Sequence, residues 1–217
     1  ALSFLTRIPV KNFSYEDKHW SSAPAFFPIC GIFYALVSMI PFALFFSAAF
    51  FLSSPKTGFE TVLSAIAYTA VGAWFTRGFH LDGFCDACDA FSAMSASKEK
   101  RLEIMKDPRI GSSAAAALFI LLTLKTACVF FLFLNCFSFE DYDFSAFFLC
   151  VFFVVLSGAF ARFAMVLLAY LGKYPKKDGT AAKIVGKAAP SAFCFALSII
   201  LFLISSPFLF FPDGTYL

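Results

Sequence analysis

The chain has 217 residues, of which 60% are hydrophobic and 14% are charged. Soluble domains are usually about 45–50% apolar and about 25% charged, so one soluble core of this size could not bury the 34 Phe side chains. The formal net charge of +3 is too small and too scattered for a nucleic-acid-binding protein, and the composition predicts an integral membrane protein instead.

Five apolar runs are long enough, at about 17–25 residues, to cross the bilayer as α-helices. In chain order, the runs are 26–53, 61–81, 112–136, 145–171 and 189–211. We therefore predict an all-α fold, a polytopic membrane bundle of about five transmembrane helices. We find no repeat, linker or soluble second domain, so residues 1–217 are predicted to form a single membrane-embedded domain.

The basic residues alternate between the loops, and cytoplasmic loops are the ones enriched in Lys and Arg. The basic segments are the N-terminal stretch, 82–110 and 172–188, whereas 54–60, 138–145 and the C-terminal tail are poor in bases. The pattern predicts a multi-pass protein of the cytoplasmic (inner) membrane with segment 82–110 in the cytoplasm. Arg162, Lys173 and Lys176 are expected to anchor lipid headgroups on that side. Lys125 lies inside the third run, where a structural and a functional role are both open.

The second run ends in HLDGFCDACDAF at residues 80–91. Its three carboxylates, Asp82, Asp86 and Asp89, are spaced i, i+4, i+7, which places them within roughly a 60° arc of one helix face. Like charges on one face repel, and a divalent cation is the simplest way to offset the repulsion. Hard oxygen ligands favour Mg²⁺, and Gly83 leaves room for a phosphate beside them. The alternative is a solvated acidic face, although no base is interleaved within the run.

The next motif is KDPRIG at 106–111, just before the third run. Lys106 and Arg109 flank Asp107, an arrangement that suits either a membrane anchor or a phosphate clamp. Gly111 would expose backbone amides at a helix N-terminus, where anions bind. Acids and bases together at one cytoplasmic face favour phosphoryl-transfer chemistry.

The seven cysteines lie mostly inside the apolar runs. Thiols in such positions behave as small hydrophobic side chains, and we predict no disulfide framework. Cys85 and Cys88 form a Cys-x-x-Cys pattern, but helical geometry directs them away from the acidic arc, so packing is the better interpretation.

These motifs resemble those of the adenosylcobinamide-GDP ribazoletransferases, also called cobalamin synthases. The similar stretches are ALSFLTRIPV at 1–10, FFPICGIFYAL at 26–36, RGFHLDGFCDACDAF at 77–91, KRLEIMKDPRIG at 100–111 and ARFAMVLLAYLGKYPKKDGTA at 161–181. HLDG-x-x-D-x-x-D together with LEIMKD-x-RIG is quite specific, and either half alone would be weaker. The family commonly has small residues in place of Cys85 and Cys88 and Gly in place of Ala90. Its members usually run longer at the C-terminus, which implies one more membrane helix.

The resemblance implies an enzyme, a Mg²⁺-dependent transferase acting late in cobalamin biosynthesis. Its substrates would be adenosylcobinamide-GDP and either α-ribazole or α-ribazole 5′-phosphate. Its products would be adenosylcobalamin, or the 5′-phosphate of adenosylcobalamin, and GMP. The other partners expected are the lipid bilayer and, through the Phe-rich faces, a second copy in a homo-oligomer; no nucleic acid is expected.

The residues of the two motifs divide into three predicted roles. The predicted metal ligands are Asp82, Asp86 and Asp89. The predicted catalytic residues are Lys106, Asp107 and Arg109. The predicted substrate contacts are Arg77, His80, Gly83 and Gly111. Asp107 is either a further ligand or the base that takes a hydroxyl proton, and the two bases bind phosphate oxygens. The resemblance also leaves open that Arg162, Lys173 and Lys176 hold the nucleotide, although the lipid anchor is the favoured interpretation.

Two other function classes remain open. A membrane prenyltransferase also binds a Mg²⁺-diphosphate with Asp-rich motifs, but such enzymes usually carry two, and this chain has one clear array plus Asp107. A divalent-cation transporter would need carboxylates near the bilayer centre, whereas these acids lie at the end of an apolar run.

Overall fold

The computed structural model of the chain describes residues 1–9, 20–51, 58–136, 144–174 and 180–210. These residues form eight α-helices and two short 3₁₀ helices, with no β-strand among them. The α-helices are α1 (Leu2–Leu5), α2 (Phe27–Phe51), α3 (Gly58–Phe75), α4 (Phe79–Ser92), α5 (Lys98–Ile104), α6 (Ser112–Leu134), α7 (Phe144–Leu171) and α8 (Pro190–Phe210). The 3₁₀ helices are Ala23–Phe26 and Thr180–Lys183.

Three helical segments in the described residues are long and apolar enough to cross a membrane. They are Ala23–Phe51, Ser112–Leu134 and Ser145–Leu171. Pro190–Ser205 is apolar but shorter, and α3 is an 18-residue helix whose Glu60, Ser, Thr and Tyr residues lower its mean hydropathy. The prediction of an all-helical membrane protein is confirmed, and three of the five predicted crossings have the length and composition of a span.

The described helices belong to two compact units. One unit consists of Ala1–Leu36 and Val151–Leu217, and the other of Val37–Cys150. The single domain predicted over residues 1–217 stays a prediction.

The first unit contains a very close approach of α2 to α7. A Cβ atom on Gly158 would lie 2.5 Å from the carbonyl oxygen of Gly31 and 3.1 Å from the Cβ atom of Ala35. Small residues allow helix backbones to approach in this way within membranes. The neighbouring core is formed by Leu5, Phe27, Cys30, Val166, Ala169, Ile184 and Ala196.

Arg162 is buried inside the first unit. Its side chain is 8% exposed, and its guanidinium carbon lies 4.3 Å from the centroid of the Tyr34 ring. A cation–π contact shielded from water is worth about 2 kcal/mol. The prediction that Arg162 anchors lipid headgroups is therefore wrong, because the residue is packed against an aromatic ring. Lys173 is exposed as expected, and Lys176 lies outside the described residues.

In the second unit, α3 and α4 both pack against α6. The hydroxyl of Thr126 donates to the hydroxyl oxygen of Thr69 at 3.1 Å, which joins α6 to α3. One residue away, the Lys125 ammonium lies 5.5 Å from the centroid of the Tyr68 ring. This aromatic contact favours the structural role for Lys125.

The turn between α3 and α4 contains two consecutive left-handed residues, Arg77 with φ 57° and Gly78 with φ 70°. The amide of Gly78 donates to the carbonyl oxygen of Ala73 at 2.9 Å, the six-to-one bond of a Schellman cap. The predicted run 61–81 is therefore wrong at its C-terminal end, because α3 stops at Phe75. The acidic motif lies on a separate helix.

Candidate functional site

All three predicted metal ligands lie on α4. Asp82 is in the first turn of that helix, where the helix dipole favours a negative charge, and its side chain is exposed. Asp86 and Asp89 follow on the next two turns and are half-buried. The helical placement expected from the spacing of these acids is confirmed, while metal binding by them stays a prediction.

Asp89 joins α4 to the N-terminus of α6. Its Oδ2 atom accepts a hydrogen bond from the Gly111 amide at 2.7 Å, and its Oδ1 atom accepts one from the Ala114 amide at 3.0 Å. The first amides of a helix have no partner within the helix, and a carboxylate is favoured there by both hydrogen bonding and the helix dipole. Asp89 therefore acts as the N-terminal cap of a helix that begins more than twenty residues later in the sequence.

Gly111 is required by this cap. A Cβ atom at position 111 would lie 2.5 Å from Oδ1 of Asp89 and 2.8 Å from its Cγ atom. Any side chain would have to displace the carboxylate. The amide of Gly111, predicted to contact substrate, donates to a carboxylate of the protein itself in this structure.

The acidic array can be tested against the ligand requirements of Mg²⁺. Within the described residues, no group of three or more His, Cys, Asp or Glu side chains is arranged to hold a metal ion. Mg²⁺, however, usually takes only one or two carboxylates and completes its shell with waters and substrate phosphates. Asp82 and Asp86, one helical turn apart with hard oxygen donors, fit that mode of binding. Each oxygen of Asp89 already accepts a backbone amide, which leaves that carboxylate fewer lone pairs for a metal ion.

Asp107 and Arg109 form a compact pair after α5. The Nε atom of Arg109 lies 2.9 Å and 3.2 Å from the two carboxylate oxygens, Nη2 also donates to Oδ2, and the Arg109 amide donates to Oδ1 at 3.0 Å. These hydrogen bonds to Arg109 lower the pKa of Asp107 to about 2. A carboxylate with so low a pKa is a weak proton acceptor, and both of its oxygens already accept from Arg109, so Asp107 suits an orienting role better than that of a base.

The remaining predicted residues lie in two places along the chain: Arg77, His80 and Gly83 at the start of α4, and Lys106 between α5 and α6. Arg77 and Lys106 are exposed. His80 is half-buried, with its ring 5.5 Å from that of Phe79 in an edge-on contact. Gly83 is exposed, and a Cβ atom added there would meet no atom within 4 Å. The space that a phosphate would need beside Gly83 is therefore open.

The Cys-x-x-Cys pattern on α4 is consistent with packing. Cys85 is buried. Burial, followed by the nearby Cys88 and the three aspartates of α4, raises the pKa of the Cys85 thiol. Such a thiol stays protonated and is a poor nucleophile and metal ligand.

Sequence reasoning identified the amides near Gly111 but missed their partner. The bond between Asp89 and Ala114 spans 25 positions, and no local pattern links the two residues. It also missed the contact between α4 and α5, in which the Arg101 guanidinium carbon lies 5.9 Å from the centroid of the Phe91 ring.

Comparison with known proteins places the chain in one family. The sequence profile of the family described as cobalamin-5-phosphate synthase matches residues 1–215. An adenosylcobinamide-GDP ribazoletransferase of Clostridioides difficile (strain 630) is 29% identical over 209 residues, which cover 94% of this chain and 70% of that protein. The protein of the same name from Chlorobium phaeobacteroides (strain BS1) is 31% identical over 220 residues, covering 99% of this chain and 77% of the relative. No solved structure is significantly similar. The chain therefore belongs to the cobalamin-5-phosphate synthase family and is a transferase.

Proposed function

We propose that this chain transfers the adenosylcobinamide-phosphate group of adenosylcobinamide-GDP to α-ribazole, or to α-ribazole 5′-phosphate, in a Mg²⁺-dependent reaction. A ribazole hydroxyl oxygen forms a bond to the phosphorus that carries the cobinamide, the hydroxyl proton is released to water, and the bond from that phosphorus to GMP breaks. The products are adenosylcobalamin, or its 5′-phosphate, and GMP. The observation that most directly supports this proposal is the family match over residues 1–215, a range that includes both site motifs.

Asp82 and Asp86 are the residues we assign to Mg²⁺ on the diphosphate. Both lie on the first turns of α4, and Asp82 is exposed to an incoming ligand. An ion held by these carboxylates would supply charge neutralisation at the phosphate oxygens. Asp89 would contribute only through the lone pairs that its two amide bonds leave available, so we assign it chiefly to holding α4 against α6.

Lys106 and Arg109 are the proposed phosphate-binding bases. Their side chains are exposed, and guanidinium groups match phosphate oxygens in a bidentate way. Asp107 holds the Arg109 fork in place through two of its nitrogens. Because both Asp107 oxygens accept from Arg109 and a pKa of about 2 makes this carboxylate a weak proton acceptor, we assign Asp107 to orienting Arg109, and not to ligation or proton abstraction.

We further propose that this site faces the cytoplasm from the inner membrane. The segment 82–110 carries five bases, and basic loops are retained on the cytoplasmic side. Four of these five side chains are exposed, namely Lys98, Lys100, Lys106 and Arg109. Labelling of a single cysteine introduced at exposed Glu99, with a reagent that cannot cross intact membranes, tests the orientation; labelling from outside would contradict it.

Product formation in isolated membranes tests the activity. Membranes holding the chain are incubated with adenosylcobinamide-GDP, α-ribazole or its 5′-phosphate, and Mg²⁺, while cobalamin and GMP are measured. Asp82→Asn and Asp86→Asn should each lower the rate about 100-fold or more, since even residues that only support a metal site cost 10–100-fold. Glu103→Gln is the matched control, because Glu103 makes an exposed pair with Lys100 at 3.0 Å and such pairs contribute little. Full activity in both Asp variants, or in chelator, would reject the metal role.

Gly83→Ala tests whether the substrate passes close to position 83, because this substitution should not disturb folding. No atom lies within 4 Å of the added Cβ, and Ala is favoured over Gly within a helix by about 1 kcal/mol. The variant should therefore fold at least as well as the parent and yet turn over more slowly if phosphate passes over this position. An unchanged KM and kcat would remove Gly83 from the site.

A further inference from the structure

Two buried thiols meet where α6 ends and α7 begins. The Sγ atom of Cys136 lies 3.0 Å from the Sγ atom of Cys150, and the two residues are 0% and 2% exposed. Both belong to the unit Val37–Cys150. The geometry is local and does not depend on the candidate transferase site.

Hydrogen bonds orient both sulfurs. The thiol of Cys136 donates to the sulfur of Cys150, whose own thiol donates to the carbonyl oxygen of Leu132 at 3.0 Å. The Cys136 amide is held by the carbonyl oxygen of Phe133 at 3.0 Å. The last turn of α6 therefore fixes one sulfur and contacts the other.

We propose that Cys136 and Cys150 form a disulfide when the protein meets a disulfide-bearing oxidant. A disulfide needs the sulfurs about 2.05 Å apart, so the pair must close by about 1 Å. Because both thiols are buried, the last turn of α6 must first open locally so that one thiol reaches water and loses its proton. Its thiolate attacks the disulfide of the oxidant to give a mixed disulfide, and the second cysteine, as thiolate, displaces the oxidant's remaining thiol. The two cysteines lose two protons and two electrons, and one disulfide of the oxidant becomes two thiols.

The position of the pair fits this chemistry. It lies at the end of α6 opposite to the Asp89 cap, and the orientation proposed above places that end on the non-cytoplasmic side. Disulfides form and persist there, whereas cytosolic thiols are kept reduced. The bond would tie α6 to α7 across residues 137–149 and stabilise the unit by restricting its unfolded state.

Peptide mapping tests the proposal in the full chain. Permeabilised membranes are treated with oxidised glutathione, remaining thiols are alkylated, and the protein is digested and analysed by mass spectrometry. We expect a peptide pair joining Cys136 to Cys150, lighter by about 2 Da than the sum of the two reduced peptides and separated by dithiothreitol. Cys128→Ser is the matched control in the same helix, because Cys128 is exposed and its loss should leave the link unchanged.

The thermal midpoint of unfolding provides a second readout. The oxidised protein should unfold about 5–10 °C above the reduced protein, and Cys136→Ala or Cys150→Ala should abolish that difference. Recovery of both thiols in alkylated form after oxidation, or links to other cysteines in equal yield, would overturn the proposal. Cobalamin synthesis is measured in the same membranes and reports on the proposed transferase site. If the disulfide does not form while cobalamin is still made, only the disulfide proposal is rejected.

Discussion

The bond between Asp89 and α6 leads to a prediction about local stability. Asp89→Ala removes the acceptor of two amides, those of Gly111 at 2.7 Å and Ala114 at 3.0 Å. A hydrogen bond to a charged group contributes about 1.5–3 kcal/mol, and the half-burial of Asp89 favours the lower value. The two bonds together then hold the first turn of α6 by about 3 kcal/mol.

A loss of that size is measurable by amide hydrogen exchange. Since each 1.4 kcal/mol is about tenfold, protection of the Gly111 and Ala114 amides should fall about 100-fold in Asp89→Ala. Asp89→Asn keeps one carbonyl oxygen and should lose about tenfold. Asp82→Asn is the control on the same helix, because the exposed Asp82 should leave protection of α6 unchanged while lowering activity.

Gly111→Ala supplies the decisive comparison. Its Cβ would press on the Asp89 carboxylate at 2.5 Å, so the single variant should lose protection much as Asp89→Ala does. In the double variant the carboxylate is gone, and adding the methyl group should cost little further. Additive losses, or unchanged protection in Asp89→Ala, would refute the capping role.

Three further predictions concern other contacts. Gly158→Ala should destabilise the protein in detergent by about 1–3 kcal/mol, measured by chemical unfolding, because the new methyl would lie 2.5 Å from the backbone carbonyl of Gly31; an unchanged midpoint would show that the helices separate freely. Arg109→Ala should return the pKa of Asp107 from about 2 toward 3.8, as followed by carboxyl NMR. Because that pKa is depressed in the folded protein, the associated stabilisation is present above the unfolded value and is lost as the pH falls through about 2; a titration that does not move would contradict the pairing. Thr126→Val removes the 3.1 Å hydroxyl bond between α6 and α3 and should cost about 0.6 kcal/mol, read from the same unfolding curves; a loss of several kcal/mol would point to another role.

The helices themselves could be predicted closely from sequence. The runs 112–136 and 145–171 correspond to Ser112–Leu134 and Phe144–Leu171, because long apolar stretches are dictated by bilayer thickness. The end of α3 could not be placed in this way. A hydropathy window centred near Phe75 still includes Phe79 and Leu81, and it does not register the left-handed turn at Arg77 and Gly78.

The individual residues of the candidate site could be predicted from the sequence, but the contacts that these residues make with one another could not. The helical array of acids follows from spacing alone, and α4 confirms it. The cap formed by Asp89 depends on how α4 packs on α6, and the short bonds between Arg109 and Asp107 depend on the turn around Pro108. The burial of Arg162 against Tyr34 likewise depends on tertiary packing. The distribution of basic residues along the sequence does not contain that information and predicts an exposed lipid anchor instead.

The break at Arg77 and Gly78 gives α4 an axis of its own. In a continuous helix, the acids would extend along the axis of α3. The two left-handed residues end that axis, so the direction of the carboxylates is set by the packing of α4 on α6 and by the two amides that Asp89 accepts there.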